Sequence, residues 1–332
     1  MPGLPMLLDL DTGIDDALAL LLALRSPELA LAGITCVAGN VTLEQVVRNT
    51  LGVLEAADAP PTPVAAGAEK PLKRRLTTAT FFHGEDGIGG VPLPATHRTT
   101  IAQSAPEFIC QTAREHAGAL CLVAVGPLTN IALALQRDPD LPRHVRRLVV
   151  MGGAATVAGN VTPAAEANFH NDPEAAEQVF RAGFDLTMIG LDVTLKALFD
   201  ARRYGLARDA VATRADPVAR LAVQVLDFYL KADLAAGLEG SPMHDPLAVA
   251  VAAVPDVVTY RELRVDIETE GRYTAGASVT NSAEKIERIE SRGDHDDVIG
   301  LMTPQPNCHV ALDVDAPRFL GLLSRRLGLE LS

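Results

Sequence analysis

Leu4-Pro5-Met6-Leu7-Leu8-Asp9-Leu10-Asp11-Thr12-Gly13-Ile14-Asp15-Asp16, followed by the alanine- and leucine-rich run 17–24, is the stretch around which the chain is organised. The apolar run before Asp9 suits a short buried strand. Residues 17–24 are good helix formers, so the stretch predicts strand, turn and helix. Four carboxylates then crowd one strand-to-helix turn. On a strand, Asp9 and Asp11 point to the same side. Asp15 and Asp16 fall at the helix start, where unpaired N–H groups and the dipole favour negative charge. Capping explains one or two of them. Like charges this close raise one another's pKa unless a cation intervenes, and no Lys or Arg lies between Met1 and Arg25. The pattern points to a hard-metal site with oxygen ligands, of the Ca²⁺ or Mg²⁺ kind.

Outward from that turn, composition narrows the classes. The chain has 332 residues, 48% of them hydrophobic and none of them Trp, so Ala, Val and Leu must fill its core. A net charge of −13 argues against nucleic acid or an anionic membrane as partner. Cys36, Cys110, Cys121 and Cys308 have no C-x-x-C spacing and no clustered His, and read as buried thiols. The start lacks a basic leader region, and no later run approaches the roughly 18 apolar residues of a membrane span. A soluble, cytoplasmic protein is expected.

Along the chain, strands are expected at 29–38, near Val64, and at 120–125, 147–151 and 186–190. Helices are expected at 43–57 and 104–116 and after residues 126–130. Asp172-Pro173, Asp216-Pro217 and Asp245-Pro246 each carry the Asp N-cap and Pro N1 pattern of a helix start. Residues 67–100 read as a long loop with Phe81 to Gly90 at its centre, of the kind that forms a lid or binding loop. Towards the C-terminus an antiparallel hairpin (261–269 with 272–280), a charged exposed loop (282–297), a strand (309–314) and a final helix are expected. The βα alternation predicts an α/β fold with an open, mainly parallel, Rossmann-like sheet and helices on both faces. No linker divides it, so residues 1–332 are read as one domain.

Ligands of such sheets bind beyond the carboxyl ends of the strands. Those ends carry Asp11, Asp15 and Asp16, then Asn40, then Val125-Gly126, then Met151-Gly152-Gly153 and the loop with Asn160, Glu166 and Asn168. A single Asn is usually a turn residue, but here every strand end brings a carboxylate, an amide or open backbone and almost no cation. With a metal, such a site fits an uncharged polyhydroxylated ligand such as a sugar; a phosphate would call for Lys, Arg or a glycine-rich cradle. His244-Asp245 reads either as local capping or as a pair facing the same cleft.

The opening D-x-D-x-G-x-D-D, at Asp9 to Asp16, resembles that of the nucleoside hydrolase family, the inosine–uridine-preferring type. Similar matches follow in the family's order: Ala38-Gly39-Asn40, residues 125–130, Val150-Met151-Gly152-Gly153, Asn160 through Asn168, and His244-Asp245-Pro246-Leu247. Thr12 and Ala167 depart from it, standing where many members have Pro and an aromatic that meets the base.

The resemblance implies the nucleoside hydrolase fold and hydrolysis of the N-glycosidic bond of purine or pyrimidine ribonucleosides to ribose and free base. It implies Ca²⁺ held by Asp11, Asp16, Asp245 and the Val125 carbonyl, with Asp11 as general base on a metal-activated water. Asp15, Asn40 and Asn168 are then expected at the 2′- and 3′-hydroxyls, Asn160 and Glu166 at the 5′-hydroxyl, and Met151 beside the ribose. His83 and Phe228 or Tyr229 are candidates to close over the base. His244 is the expected proton donor to the leaving base, since imidazole alone both donates and reprotonates near neutrality. A homodimer or homotetramer is the expected assembly. Two other classes share features of the sequence. A haloacid-dehalogenase-like phosphatase shares the D-x-D start, but Gly13 stands where it expects Thr or Val. A non-catalytic nucleoside or sugar sensor would have no need of Asp11.

Overall fold

The computed structural model describes residues 3–212, 214–281 and 305–330. Its centre is β1 (Leu4–Leu10), in an eight-stranded sheet with β2 (Leu29–Cys36), β3 (Val64–Ala66), β4 (Leu120–Ala124), β5 (Val145–Met151), β6 (Leu186–Ile189), β9 (Val258–Leu263) and β12 (Cys308–Val314). The order is β3-β2-β1-β4-β5-β6-β12-β9, and every pairing is parallel except the antiparallel β12–β9 edge. Two short pairs lie outside this sheet: β7 (Leu198–Asp200) with β8 (Gly240–Pro242), and β10 (Val265–Ile267) with β11 (Ser278–Thr280).

Period-two alternation explains why helices cover both faces. Met6, Leu8 and Leu10 of β1, with Cys121 and Val123 of β4, join one buried cluster. Leu7, with Leu120 and Leu122, joins the other. The first cluster is roofed by α1 (Ile14–Leu24), α2 (Leu43–Ala56), α11 (Pro217–Ala235), α12 (His244–Ala253) and α13 (Ala316–Arg326). The second is roofed by α4 (Ala105–Glu115), α5 (Thr129–Arg137) and α8 (Pro173–Arg181). α1 is buried from Ile14 to Ala23, which suits its lack of a polar face.

β1 has β2 on one side and β4 on the other, so the chain's winding reverses there. That reversal opens a crevice beyond the carboxyl ends of β1 and β4.

The structure differs from expectation in three places. The hairpin of 261–269 with 272–280 shrinks to β10 and β11, because β9 pairs with β12 in the main sheet instead. The 67–100 loop contains a short helix, α3 (Thr80–His83). β1 stops at Leu10, so alternation no longer governs Asp11 and the two aspartates part. Asp9 turns to Thr35 Oγ1 and Asn130 Nδ2, which donate to it at 2.6 and 2.8 Å. The charged stretch 282–297 lies outside the described residues.

Candidate active site

Asp11 is the floor of the crevice. Its carboxylate fills a slot whose sides are Gly39 and Gly126, where a Cβ on Gly126 would stand 2.7 Å from Oδ1 and one on Gly39 would run into Oδ2. The Asn40 N–H donates to Oδ2 at 2.7 Å. Oδ1 is buried and has no hydrogen-bond partner among the described residues.

Asp16 locks the turn. Its carboxylate accepts from the backbone N–H of Asp11 (3.0 Å) and Gly13 (2.8 Å) and from Asn40 Nδ2 (3.1 Å). Asp245 arrives from the first turn of α12. Unlike Asp172 and Asp216, whose carboxylates cap α8 and α11, it makes no capping bond; α12 starts one residue earlier, at His244. Asp15, Asp16 and Asp245 bring ligand oxygens within 4.8 Å of one another, all buried. Burial first, then like charge, raises Asp11 and Asp245 well above the usual carboxylate range and lifts Asp15 to about 8. Asp16 is raised too, against its backbone donors. Among the described residues, none of these four enters a salt bridge. Convergent carboxylate oxygens, a partnerless buried Oδ1 and no countercharge fit a hard divalent cation.

Above this floor lies a cleft of about 310 Å³. Asn168, in α7 (Ala167–Asn171), donates through Nδ2 to the carbonyls of Val125 (2.8 Å) and Met151 (3.1 Å), tying together the ends of β4 and β5. Glu166 caps α7 and accepts from the N–H groups of Gly153, Asn168 and Phe169. Asn160 Oδ1 accepts from Ala167 N–H at 3.0 Å, holding the same loop. Asp15, Asn40, Val125, Met151, Asn160, Glu166 and Asn168 all line the cleft.

The facing wall is aromatic. His83 closes the N-terminal side, its Nδ1 accepting from Ile14 N–H at 3.2 Å. Burial and then the charge of His244 push its pKa down to about 4. Phe82 packs edge-on against both His83 and Tyr229, and the Tyr229 hydroxyl donates to the Pro242 carbonyl at 2.7 Å. His244 lines the same wall, with Nδ1 2.8 Å from Thr194 Oγ1, and burial lowers its pKa to about 4. Phe228 is absent from the lining and packs on Gly89 instead. Successive helix residues point about 100° apart, and α11 turns Tyr229 to the cleft and Phe228 to Gly89.

Sequence reasoning missed Phe82, Thr194 and Asp233. Phe82 adjoins His83, the base-side candidate of the 67–100 loop. Thr194, in the short α9 (Leu191–Thr194), and Asp233 reach the site through tertiary packing, which leaves no local signal. Among the described residues no Lys or Arg lines the cleft, which removes the phosphate-binding chemistry a phosphatase needs.

Comparison with known proteins agrees with this geometry. The family described as inosine-uridine preferring nucleoside hydrolase matches residues 6–321. A pyrimidine-specific ribonucleoside hydrolase RihA of Salmonella paratyphi B is 41% identical over 327 residues, covering 98% of each chain. The solved purine-preferring ribonucleoside hydrolase from Gardnerella vaginalis superposes with a TM-score of 0.86 at 37% identity, covering 98% of each chain. A plant nucleoside hydrolase, PpNRh1, gives 0.88 at 31% identity, covering 99% of each.

Proposed function

Because the chain belongs to the inosine–uridine preferring nucleoside hydrolase family and hydrolyses the N-glycosidic bond of ribonucleosides, we propose how its own residues carry that reaction. Asp11, Asp16, Asp245 and the Val125 carbonyl hold Ca²⁺, a cation that takes six to eight oxygens in flexible geometry. When bound, it supplies Lewis acidity that makes water a stronger acid and anchors the ribose diol. Asp11 takes the proton of the attacking water, its second oxygen steadied by Asn40 N–H. Asp15, Asn40 and Asn168 hold the 2′- and 3′-hydroxyls, so the ribose carbon meets the water as oxocarbenium character develops.

Asn160 and Glu166 close the 5′ end, with Met151 under the sugar. The three N–H groups already on Glu166 leave one lone pair of its carboxylate for that hydroxyl. His83 and Tyr229 flank the base. His244, oriented by Thr194, gives the departing base its proton. Burial lowers its pKa to about 4, so it takes up the proton it delivers from solvent only as the bound substrate or a nearby carboxylate stabilises the imidazolium. A homodimer or homotetramer is part of the same proposal, as is a cytoplasmic setting, which four buried free thiols support.

The observation that carries this reading is the convergence of Asp15, Asp16 and Asp245 beside the partnerless Asp11 Oδ1. Its test is reducing-sugar release over a panel of ribonucleosides, with and without chelator, alongside elemental analysis of protein purified chelator-free. Calcium near one per chain and chelator-sensitive turnover are expected. A transition metal at full occupancy without calcium would overturn the metal assignment.

A further inference from the structure

α2 contributes nothing to the lining of the cleft, yet it sends two buried polar side chains to the metal turn. Thr50 Oγ1 lies 2.6 Å from Thr12 Oγ1. Asn49, 1% exposed, reaches further. Its Oδ1 accepts from Gln45 Nε2 at 2.8 Å, which fixes the orientation of the amide. The two N–H groups of Nδ2 then donate to the Thr12 carbonyl at 3.1 Å and to the Asp86 carbonyl at 2.8 Å. Asn49 is thus a strap between the turn that bears Asp11 and Asp16 and the glycine-rich run 84–90. Packing and burial alone would favour an apolar residue there, as at Val46 and Val53 one turn to either side.

The strapped run leads directly from His83. Gly84, Gly87, Gly89 and Gly90 all have positive φ, so no helix or strand holds these residues and contacts set their place. One contact is at Gly87, where a Cβ would stand 3.2 Å from Asn49 Nδ2. The Asp86 carboxylate accepts from the N–H groups of Ile88 and Gly90, and Gly89 N–H donates to the His83 carbonyl at 2.9 Å. Position therefore passes from Asn49 through Asp86 to His83. His83 meets the metal turn a second time, where its Nδ1 accepts from Ile14 N–H. The turn and the loop are thus joined at two points. We propose that Asn49 is a positioning residue for base binding: by holding Asp86 to Thr12 it keeps His83 at a fixed distance from the metal turn, so that one nucleoside spans the ribose site and the base wall together. The inference rests on the nucleoside hydrolase reading of the cleft and deepens it.

The test is a double-mutant cycle on steady-state hydrolysis of inosine or uridine, with Asn49→Leu, His83→Ala and the pair, run beside thermal unfolding and inhibition by ribose. Asn49→Leu is expected to raise KM at least about tenfold, within the range of coupling between residues of one hydrogen-bond network. In the His83→Ala enzyme the same change moves KM less than about threefold, the scatter of additive effects, because the group it positions is gone. The ribose inhibition constant stays within about the same threefold in Asn49→Leu, since Asp15, Asn40 and Asn168 hold the sugar without the loop. If Asn49→Leu does not fold, Asn49→Ala decides, its smaller side chain leaving room for water on the two carbonyls. An unchanged KM in the folded variant, or effects of Asn49 and His83 that multiply, overturns the inference and leaves the hydrolase reading standing. A ribose constant that rises in step with KM overturns it too, by placing the damage at the metal turn. Failure of the parent to release base from any ribonucleoside overturns the hydrolase reading itself.

Discussion

Gly126→Ala is a small change with a calculable effect on Asp11. Gly126 has no positive φ, so the backbone accepts alanine and the effect comes from contact alone. The new methyl group would stand 2.7 Å from Asp11 Oδ1, against the 3.4 Å at which ordinary contact begins. The carboxylate must therefore retreat by about 0.7 Å, and a 1 Å misplacement near the chemistry costs about a hundredfold. Retreat is blocked on the far side, where Oδ2 already rests against Gly39 and accepts from Asn40 N–H. Scaling gives a fall in kcat of roughly 10- to 100-fold, or about 1.4–2.7 kcal/mol in the barrier. The assay is steady-state hydrolysis of inosine or uridine and of p-nitrophenyl riboside, run beside thermal unfolding. Both substrates should lose rate together, since the damage lies at the water and metal and not at the leaving group. Gly39→Ala should be worse, its Cβ meeting Asp11 more closely. A folded Gly126→Ala enzyme with kcat within threefold of the parent would refute the slot and the role given to Asp11.

Asp11→Asn keeps the size and one ligand oxygen but removes the base; kcat should fall at least about a hundredfold with substrate binding partly retained, and near-normal kcat would contradict the assignment. Chelation should lower Tm, and added Ca²⁺ should restore it in a concentration-dependent way, because ligand binding to the folded state alone is stabilising. An unchanged Tm on complete calcium removal would count against the site. His244→Ala should depress inosine or uridine turnover at least about a hundredfold yet largely spare p-nitrophenyl riboside, whose leaving group needs no proton. Equal losses on both substrates would place His244 in ribose or metal binding instead.

The parallel sheet was legible because its signal is local. β4 is a continuous apolar run and β1 and β5 carry apolar stretches at Met6–Leu8 and Leu148–Met151, as strands covered on both faces must, and the amides and carboxylates that follow them collect where such sheets bind ligands. Asp9 and Asp11 show where local reasoning stopped. Period two holds only while the strand lasts, and the strand ends one residue before Asp11. Asp9, on the other side, is buried against Thr35 and Asn130, and burial brings its carboxyl to about 7. It thus ties β1 to β2 and α5. The hairpin came out shorter than expected for a related reason: 265–267 does pair antiparallel with 278–280, but residues 261–263 belong to β9, which has a longer partner in β12.

The three Asp-Pro pairs make the sharper case. Asp172, Asp216 and Asp245 have the same local pattern, and each stands at a helix start. Asp172 accepts from Ala175 N–H at 3.1 Å and Asp216 from Val218 N–H at 3.0 Å, as the pattern requires. Asp245 does not, because α12 begins at His244 and sets it inside the first turn. Its carboxylate is then free to meet Asp15 and Asp16, residues more than two hundred positions away in the chain. A cap contributes about 1 kcal/mol, and bringing another charge into a buried acidic cluster is destabilising by more than that. Two sources of stability are thus given up at one residue. Such a placement is consistent with a cation that the folded cluster binds and the unfolded chain does not. The sequence held the ligand, but its departure from the capping pattern is visible only once α12 packs against α1.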